Sequence, residues 1–220
     1  LSVKVDAVAD KQVAGRRARV QSAQQPKADG ESTPQRVIDA AIDCILAKGY
    51  YRASSNEIAR WAGLTWGVIQ YHFGTRERLM LDAFRDQVQK LIDHAENFVF
   101  TGDTTREQLW SVFEYLNDFF GRREYLASLE INLNLVRTPS TEEEIRAEVQ
   151  RLHDAMTQVG ARHPAHVVSN EMVVELVRSV IVTHRLRADS SLTAFVDDEK
   201  AYRERVEMLI GALAEDLEKA

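Results

Sequence analysis

From residue 33 onward, apolar side chains recur at helical spacing. Val37, Ile38, Ala41, Ile42, Ile45 and Leu46 form an amphipathic stripe, with Thr33 as a cap, Pro34 suited to the first helical position and Gly49 as the stop. Ser54 and Glu57 stand at capping-box spacing, which predicts a short second helix from about Ser55 to Ala62, ended by Gly63. Thr65 then caps a third short helix, Trp66 to about Phe73, after a three-residue turn, Ala62 to Leu64. Ala59 permits close approach, Gly63 can adopt the positive φ of a turn, and Ile69 is placed to pack inward against Ile58 and Leu64. Both a helix-turn-helix and an ordinary helical hairpin fit this spacing.

After Gly74, Thr75 caps a long helix from Arg76 to about Val99, with Leu79, Leu81, Phe84, Val88, Leu91, Ile92 and Ala95 on its inner side. Further helices are predicted near 105–121, 123–136, 141–159, 165–187 and 198–218. Loops separate them at Thr101–Thr104, Arg137–Ser140, Gly160–Pro164 and Ala188–Val196. The valine-rich run around Val173 to Val182 has strand-like composition, but its length and interrupting charges point to a buried helix. The expected class is all-α, without internal repeats.

Residues 1–31 lack sustained periodicity and read as a mobile arm. Either it is a solvated tail, or its Arg16, Arg17 and Arg19 reach into a DNA minor groove.

The formal net charge of −6 is unevenly spread, +3 over residues 1–74 and −9 over 75–220. The acidic part is a poor nucleic-acid binder. Any DNA contact at the front must rely on geometry, helix N-termini and multiple copies as well as bulk charge. Apolar residues at 45% and charged residues at 28% are ordinary globular values. No run approaches the roughly 20 apolar residues of a spanning helix, and charges break up every apolar run near the N-terminus. A soluble, cytoplasmic, nucleoid-associated protein without membrane contact is expected. The single cysteine, Cys44, excludes an internal disulfide and fits a packing role.

Catalytic and metal motifs do not emerge. His153, His163, His166 and His184 have no i, i+4 or HExxH arrangement, and no P-loop, dinucleotide glycine motif or nucleophile elbow is present. No metal, cofactor or enzymatic activity is expected. In 105–121, Leu109, Val112, Phe113, Leu116 and Phe120 hold core spacing, while Trp110, Tyr115, Asn117 and Phe119 spill beyond it. An aromatic-lined ligand cavity and a plainly filled bundle core both suit this pattern.

The stretch Val37 to Phe84 carries AIDCILAKG, SSNEIARWAG and LTWGVIQYHFGTRERL. In these strings it resembles the tetracycline-repressor (TetR-type) regulator family. The resemblance rests on Ile58, Ala59, Ala62 and Gly63, on the small residue before the Gln70-Tyr71-His72-Phe73 string, and on the arginine after Gly74. It covers roughly a quarter of the chain as a specific set. Trp66, Gln70 and Ser55 depart from common residues of the family, which alters the base-facing surface while leaving the fold intact.

The resemblance implies a dimeric, all-helical transcription factor, usually a repressor. In such a protein a three-helix DNA-binding head (residues 32–80) is joined by a long helix to a ligand-binding and dimerisation bundle (81–220). It places Trp66, Gly67, Gln70 and Tyr71 at the start and exposed face of a major-groove helix. Gln70 would read an adenine edge, and Tyr71 and His72 would contact phosphate or sugar. Trp66 would meet a thymine methyl or a sugar, or cover its own helix. Gly67 would allow close approach to the DNA backbone. Ser54, Ser55, Asn56, Thr65 and Arg76 would hold phosphate-contact places at three helix starts, with Asn56 also reaching a base. The resemblance favours a ligand pocket in the second region, with Trp110, Phe113, Asn117, Phe120, Asn132, Met156 and Arg178 as its candidate walls.

The expected partners are double-stranded DNA carrying a palindromic operator, a small-molecule effector, and a second copy of the chain paired through the last two helices. Two other readings stand beside the ligand-released repressor: an activator or architectural DNA-binding protein without a ligand, and an all-helical small-molecule carrier or enzyme.

Overall fold

The computed structural model describes residues 32–162, 171–189 and 199–219, and every regular element among them is helical. The elements are α1 (Thr33–Lys48), a 3-10 turn (Tyr50–Arg52), α2 (Ser55–Ala62), α3 (Trp66–Phe73), α4 (Arg76–Asn97), α5 (Thr105–Phe120), α6 (Arg123–Leu135), α7 (Glu142–Arg162), α8 (Glu171–Asp189) and α9 (Glu199–Leu217). Packing divides the chain within α4, between Leu79 and Met80. The proposed arm residues Arg16, Arg17 and Arg19, like His163 and His166, lie outside the described residues.

In the first unit, α1 packs on α2 and α2 on α3. Val37, Ala41, Ile42 and Ile45 of α1, Ile58 and Ala59 of α2, and Ile69 and Phe73 of α3 are buried together with Leu79. Local chemistry sets the ends of these helices. The cap of α1 is Ser32, one residue before the expected Thr33; its Oγ accepts from Gln35 N–H at 3.4 Å. Gly63 sits at φ +66°, and Leu64 N–H donates to Ala59 O at 2.9 Å, so the left-handed residue closes α2 and starts the turn. Cys44 is buried in α1, and burial pushes its thiol up to about 11, in keeping with a packing role.

The capping box expected at Ser54 and Glu57 forms only by half. Ser54 Oγ accepts from Glu57 N–H at 3.3 Å, while the Glu57 carboxylate turns away to Lys48, Arg60 and the Trp61 indole N–H. Two cations in reach compete successfully with one backbone N–H for the same carboxylate. Glu57 therefore joins α1 to α2, and the hydrogen bonds from Lys48 and Arg60 hold its carboxyl down at about 2. A complete box does form at α5, where Thr104 and Glu107 satisfy each other's backbone N–H groups.

In the second unit, α5 packs against α8 and α9. Tyr115 and Phe119, expected to spill out of the stripe, are buried alongside Leu109, Val112, Leu116 and Phe120, whereas Phe113 is half-buried. A helix with neighbours on several sides buries more than one stripe. Arg85 ties α4 to α7, with Nε donating to Glu148 at 3.0 Å and the guanidinium reaching Glu144 at 2.7 Å. Thr141 Oγ1 is buried and donates to Leu135 O at 3.0 Å, fixing the α6–α7 turn. Gly160, expected to open a loop, is instead carried inside α7, which runs on to Arg162.

Two outcomes follow for the first unit. Gly63→Ala should lower stability by about 1 kcal/mol in urea unfolding, because a Cβ there meets no neighbour and the cost is the left-handed backbone alone. Glu57→Gln should cost stability at neutral pH and lose that deficit on acidification. A carboxyl lowered from 4.5 to about 2 stabilises the fold above its ordinary value, and the contribution disappears as pH falls through that window. Thermal melts of both proteins between those limits should converge; a constant gap would remove Glu57's ion pairs as the cause.

Candidate DNA-binding surface

Two short helices and the turn between them present one exposed face. On α3, Ile69 and Phe73 are buried, which turns Gly67 and Tyr71 outward on the opposite side, while Trp66 at the helix start, Gln70 on the flank and His72 are exposed as well. The His72 ring stands edge-on to Tyr71, with centroids 5.0 Å apart. Thr65 occupies the N-cap position of α3, but its side chain makes no cap hydrogen bond. Its hydroxyl is thus not committed to ending the helix, and Thr65 is exposed.

Gly67 is exposed, and a Cβ built there would meet only Thr65 Oγ1, at an ordinary 3.8 Å. Among the described residues no contact requires glycine at this place. Alanine is the better helix former by about 1 kcal/mol, so helix propensity does not account for the glycine either.

At the start of α2, Ser54 acts as a cap, and Ser55 and Asn56 occupy the first turn, half-buried and exposed respectively. Helix geometry aims the first backbone N–H groups of α2 out of its end, where the helix dipole favours an anion.

Arg76 behaves differently from the other candidates. Its Nε donates to Ala53 O at 2.9 Å, its terminal nitrogen donates to Tyr50 O, and the guanidinium lies 4.3 Å from the centre of the Tyr50 ring. It fastens the turn between α1 and α2. Burial, the largest influence, raises the Tyr50 hydroxyl above its usual value, partly offset by Arg76. Tyr51, next in the chain, is exposed and was not among the sequence candidates. Two adjacent tyrosines in a turn signal that one can face outward, but helical periodicity does not reach them.

The candidate pocket residues of the second unit fall into separate neighbourhoods. Trp110 and Phe113 form a T-shaped pair at 5.4 Å, Phe113 faces Tyr202, and Tyr202 OH donates to Asn117 Oδ1 at 3.2 Å. His184 stacks on the same Tyr202, with centroids 3.8 Å apart. Phe120 packs edge-on to Tyr125, with Arg178 5.7 Å from its ring centre. Met156 receives the Tyr115 hydroxyl at 3.2 Å. Asn132 is half-buried on α6. Of these residues, Trp110 also borders an open cleft of about 390 Å³ with Thr101, Gly102, Asp103, Glu107, Ser111 and Glu114. Among the described residues no cluster of three or more His, Cys, Asp or Glu could hold a metal, and no helix is long and apolar enough to cross a membrane.

Known proteins share this helical fold. The chain is 29% identical over 73 residues, 33% of its own length and 38% of the relative's, to the "Fatty acid metabolism regulator protein" of Bacillus subtilis. It is thus similar to about two fifths of that relative's length. In fold it is similar to a transcriptional regulator from Rhodococcus sp. Rha1, at TM-score 0.60 and 20% identity, over 82% of this chain and 95% of that one. It is similar also to the transcriptional regulator FadR of Bacillus subtilis, solved in complex with stearoyl-CoA. There the TM-score is 0.55 and the identity 18%, over 80% of this chain and 97% of that one. Residues 37–83, which span most of α1, all of α2 and α3 and the start of α4, match the bacterial regulatory proteins of the tetR family, so this N-terminal segment is similar to that family's.

Proposed function

We propose that this protein is a dimeric, sequence-reading transcriptional regulator, a repressor released from a palindromic operator by a small-molecule effector. The observation that carries the reading is Gly67: a glycine on the exposed face of α3 that no contact among the described residues demands. Close approach of another molecule's backbone is the physical reason for it, and Thr65, whose hydroxyl makes no cap bond, stands beside it. In this reading residues 32–80 form the DNA-binding domain and 81–220 the ligand-binding and dimerisation domain. Gln70 and Trp66 meet base edges or the thymine methyl in the major groove. Tyr71, His72, Thr65, Ser54, Ser55 and Asn56 contact sugar and phosphate.

Dimerisation is supported by α8. Its Val173, Val177 and Ile181 are buried, while Met172, Leu176 and Leu186 fall on a second, exposed face, with Met208 exposed on α9. An isologous pairing of these helices would cover that surface and give two reading heads a common two-fold axis. The effector reading is supported by the groups around Tyr202, namely the half-buried Trp110, Phe113 and His184 and the exposed Asn117. The fatty-acid regulator and the stearoyl-CoA complex among similar proteins make acyl chains and their thioesters the first compounds to assay. The effector must bind the two states of the protein differently.

Selection of bound duplexes from a random DNA library at near-physiological salt should recover a palindrome; no enrichment at any salt would sink the DNA reading and favour a helical carrier. Gly67→Ala should retain or slightly raise thermal stability while binding the recovered duplex at least tenfold more weakly. Leu176→Glu should yield a monomer in sedimentation that no longer prefers the palindrome over a half-site; a persistent dimer would place the interface elsewhere.

A further inference from the structure

Among the described residues, exposed large apolar and aromatic side chains are segregated by type. Those in the first unit are all aromatic: Tyr51 at 86% exposure, Tyr71 at 85% and Trp66 at 47%. Those in the second unit are all aliphatic: Val99, Leu133, Val149, Met172, Leu176, Leu186 and Met208. Aliphatic surface suits a protein partner. An aromatic ring with a polar tip suits a surface that alternates apolar sugar with charged phosphate. Tyr71 and Trp66 already lie on the face read as the DNA surface, but Tyr51 lies on a different element, three residues before the α2 cap Ser54.

That element is held in place. Arg52 N–H donates to Gly49 O at 3.2 Å, Ala53 N–H to Tyr50 O at 3.3 Å and Ser54 N–H to Arg52 O at 2.9 Å. Arg76 adds its two donations to Tyr50 O and Ala53 O from the start of α4. Tyr50 is buried under the guanidinium, and the Tyr51 ring stands edge-on to it at 5.7 Å and 89°. An exposed ring on a fixed backbone loses little freedom when it binds.

We propose that Tyr51 is a further contact of this protein with the DNA backbone, its ring on a deoxyribose and its hydroxyl donating to a phosphate oxygen beside the start of α2. Arg76 is the positioning residue for that contact and not itself a phosphate ligand. The inference rests on the DNA-binding reading above. A neutral phenol displaces no counterion, and neither does an arginine whose role is to hold a turn, so both leave the salt dependence of binding untouched.

The test uses the full chain and the duplex recovered by selection, with affinity followed by fluorescence anisotropy across a salt series. Tyr51→Ala should weaken binding about fivefold to tenfold and Tyr51→Phe by less, with unchanged thermal midpoints and an unchanged slope of log Kd against log salt. Arg76→Ala should also weaken binding without changing the slope, and should add little in a protein that already carries Tyr51→Ala. A slope reduced by about 1 in Arg76→Ala would make Arg76 a phosphate ligand and overturn its positioning role. Should that variant prove unfolded, the two Tyr51 variants decide. Wild-type affinity in both of them overturns the inference while the DNA reading stands; failure of the wild-type chain to select any duplex overturns both.

Discussion

A helix of eight residues does not hold itself together in water, because the cost of nucleating it is spread over too few hydrogen bonds. The first unit is organised around that constraint. Its outward face belongs to α3, and α3 offers only Ile69 and Phe73 as buried anchors. The positive φ of Gly63, the Leu64 bond back to Ala59 and the close-packed Ala59 hold the turn in front of it. The Glu57 ion pairs fasten α2 to α1, which supplies most of the buried aliphatic surface. Any contact made by the exposed side chains of α3 depends on such support, since a side chain on a fraying helix would lose its contact energy to ordering entropy.

Arg76 and Arg85, both on α4, serve the same end. Arg76 joins α4 to the turn before α2 through two backbone carbonyls, and Arg85 joins α4 to α7 through two carboxylates. A planar fork with several donors can satisfy two acceptors at once, where a lysine at the same place would act as a point charge. The long helix is therefore tied within each unit by directed bonds as well as by apolar burial.

The second unit solves a different problem. Its central α5 is ringed by neighbours, so Tyr115 and Phe119 are drawn into the core along with the expected stripe. Buried tyrosines keep their hydroxyls satisfied: Tyr115 donates to Met156 and Tyr202 to Asn117. Burial raises the Tyr115 hydroxyl well above its usual value, so it acts there as a neutral donor. Such polar points within an aromatic wall are what a binding bundle requires if it is to orient a ligand.

Periodicity, caps and glycine stops were enough to define the helices from α1 to α6 to within two residues, together with the helix-turn-helix and the inner side of α4. Those features are local: a stripe, a cap or a left-handed glycine is encoded within a few residues. The missed elements depended on competition between residues distant in sequence. Glu57 left its box because Lys48 was within reach, Arg76 turned to Tyr50 and Ala53 more than twenty positions earlier, and α7 ran past Gly160. The pocket candidates separated into neighbourhoods because α5 has several faces, each meeting a different helix. Sequence alone determined which of the described segments are helical and where the helix-turn-helix lies; tertiary structure decided which partner each polar side chain takes, because that choice is settled by which groups the packing brings within hydrogen-bonding distance.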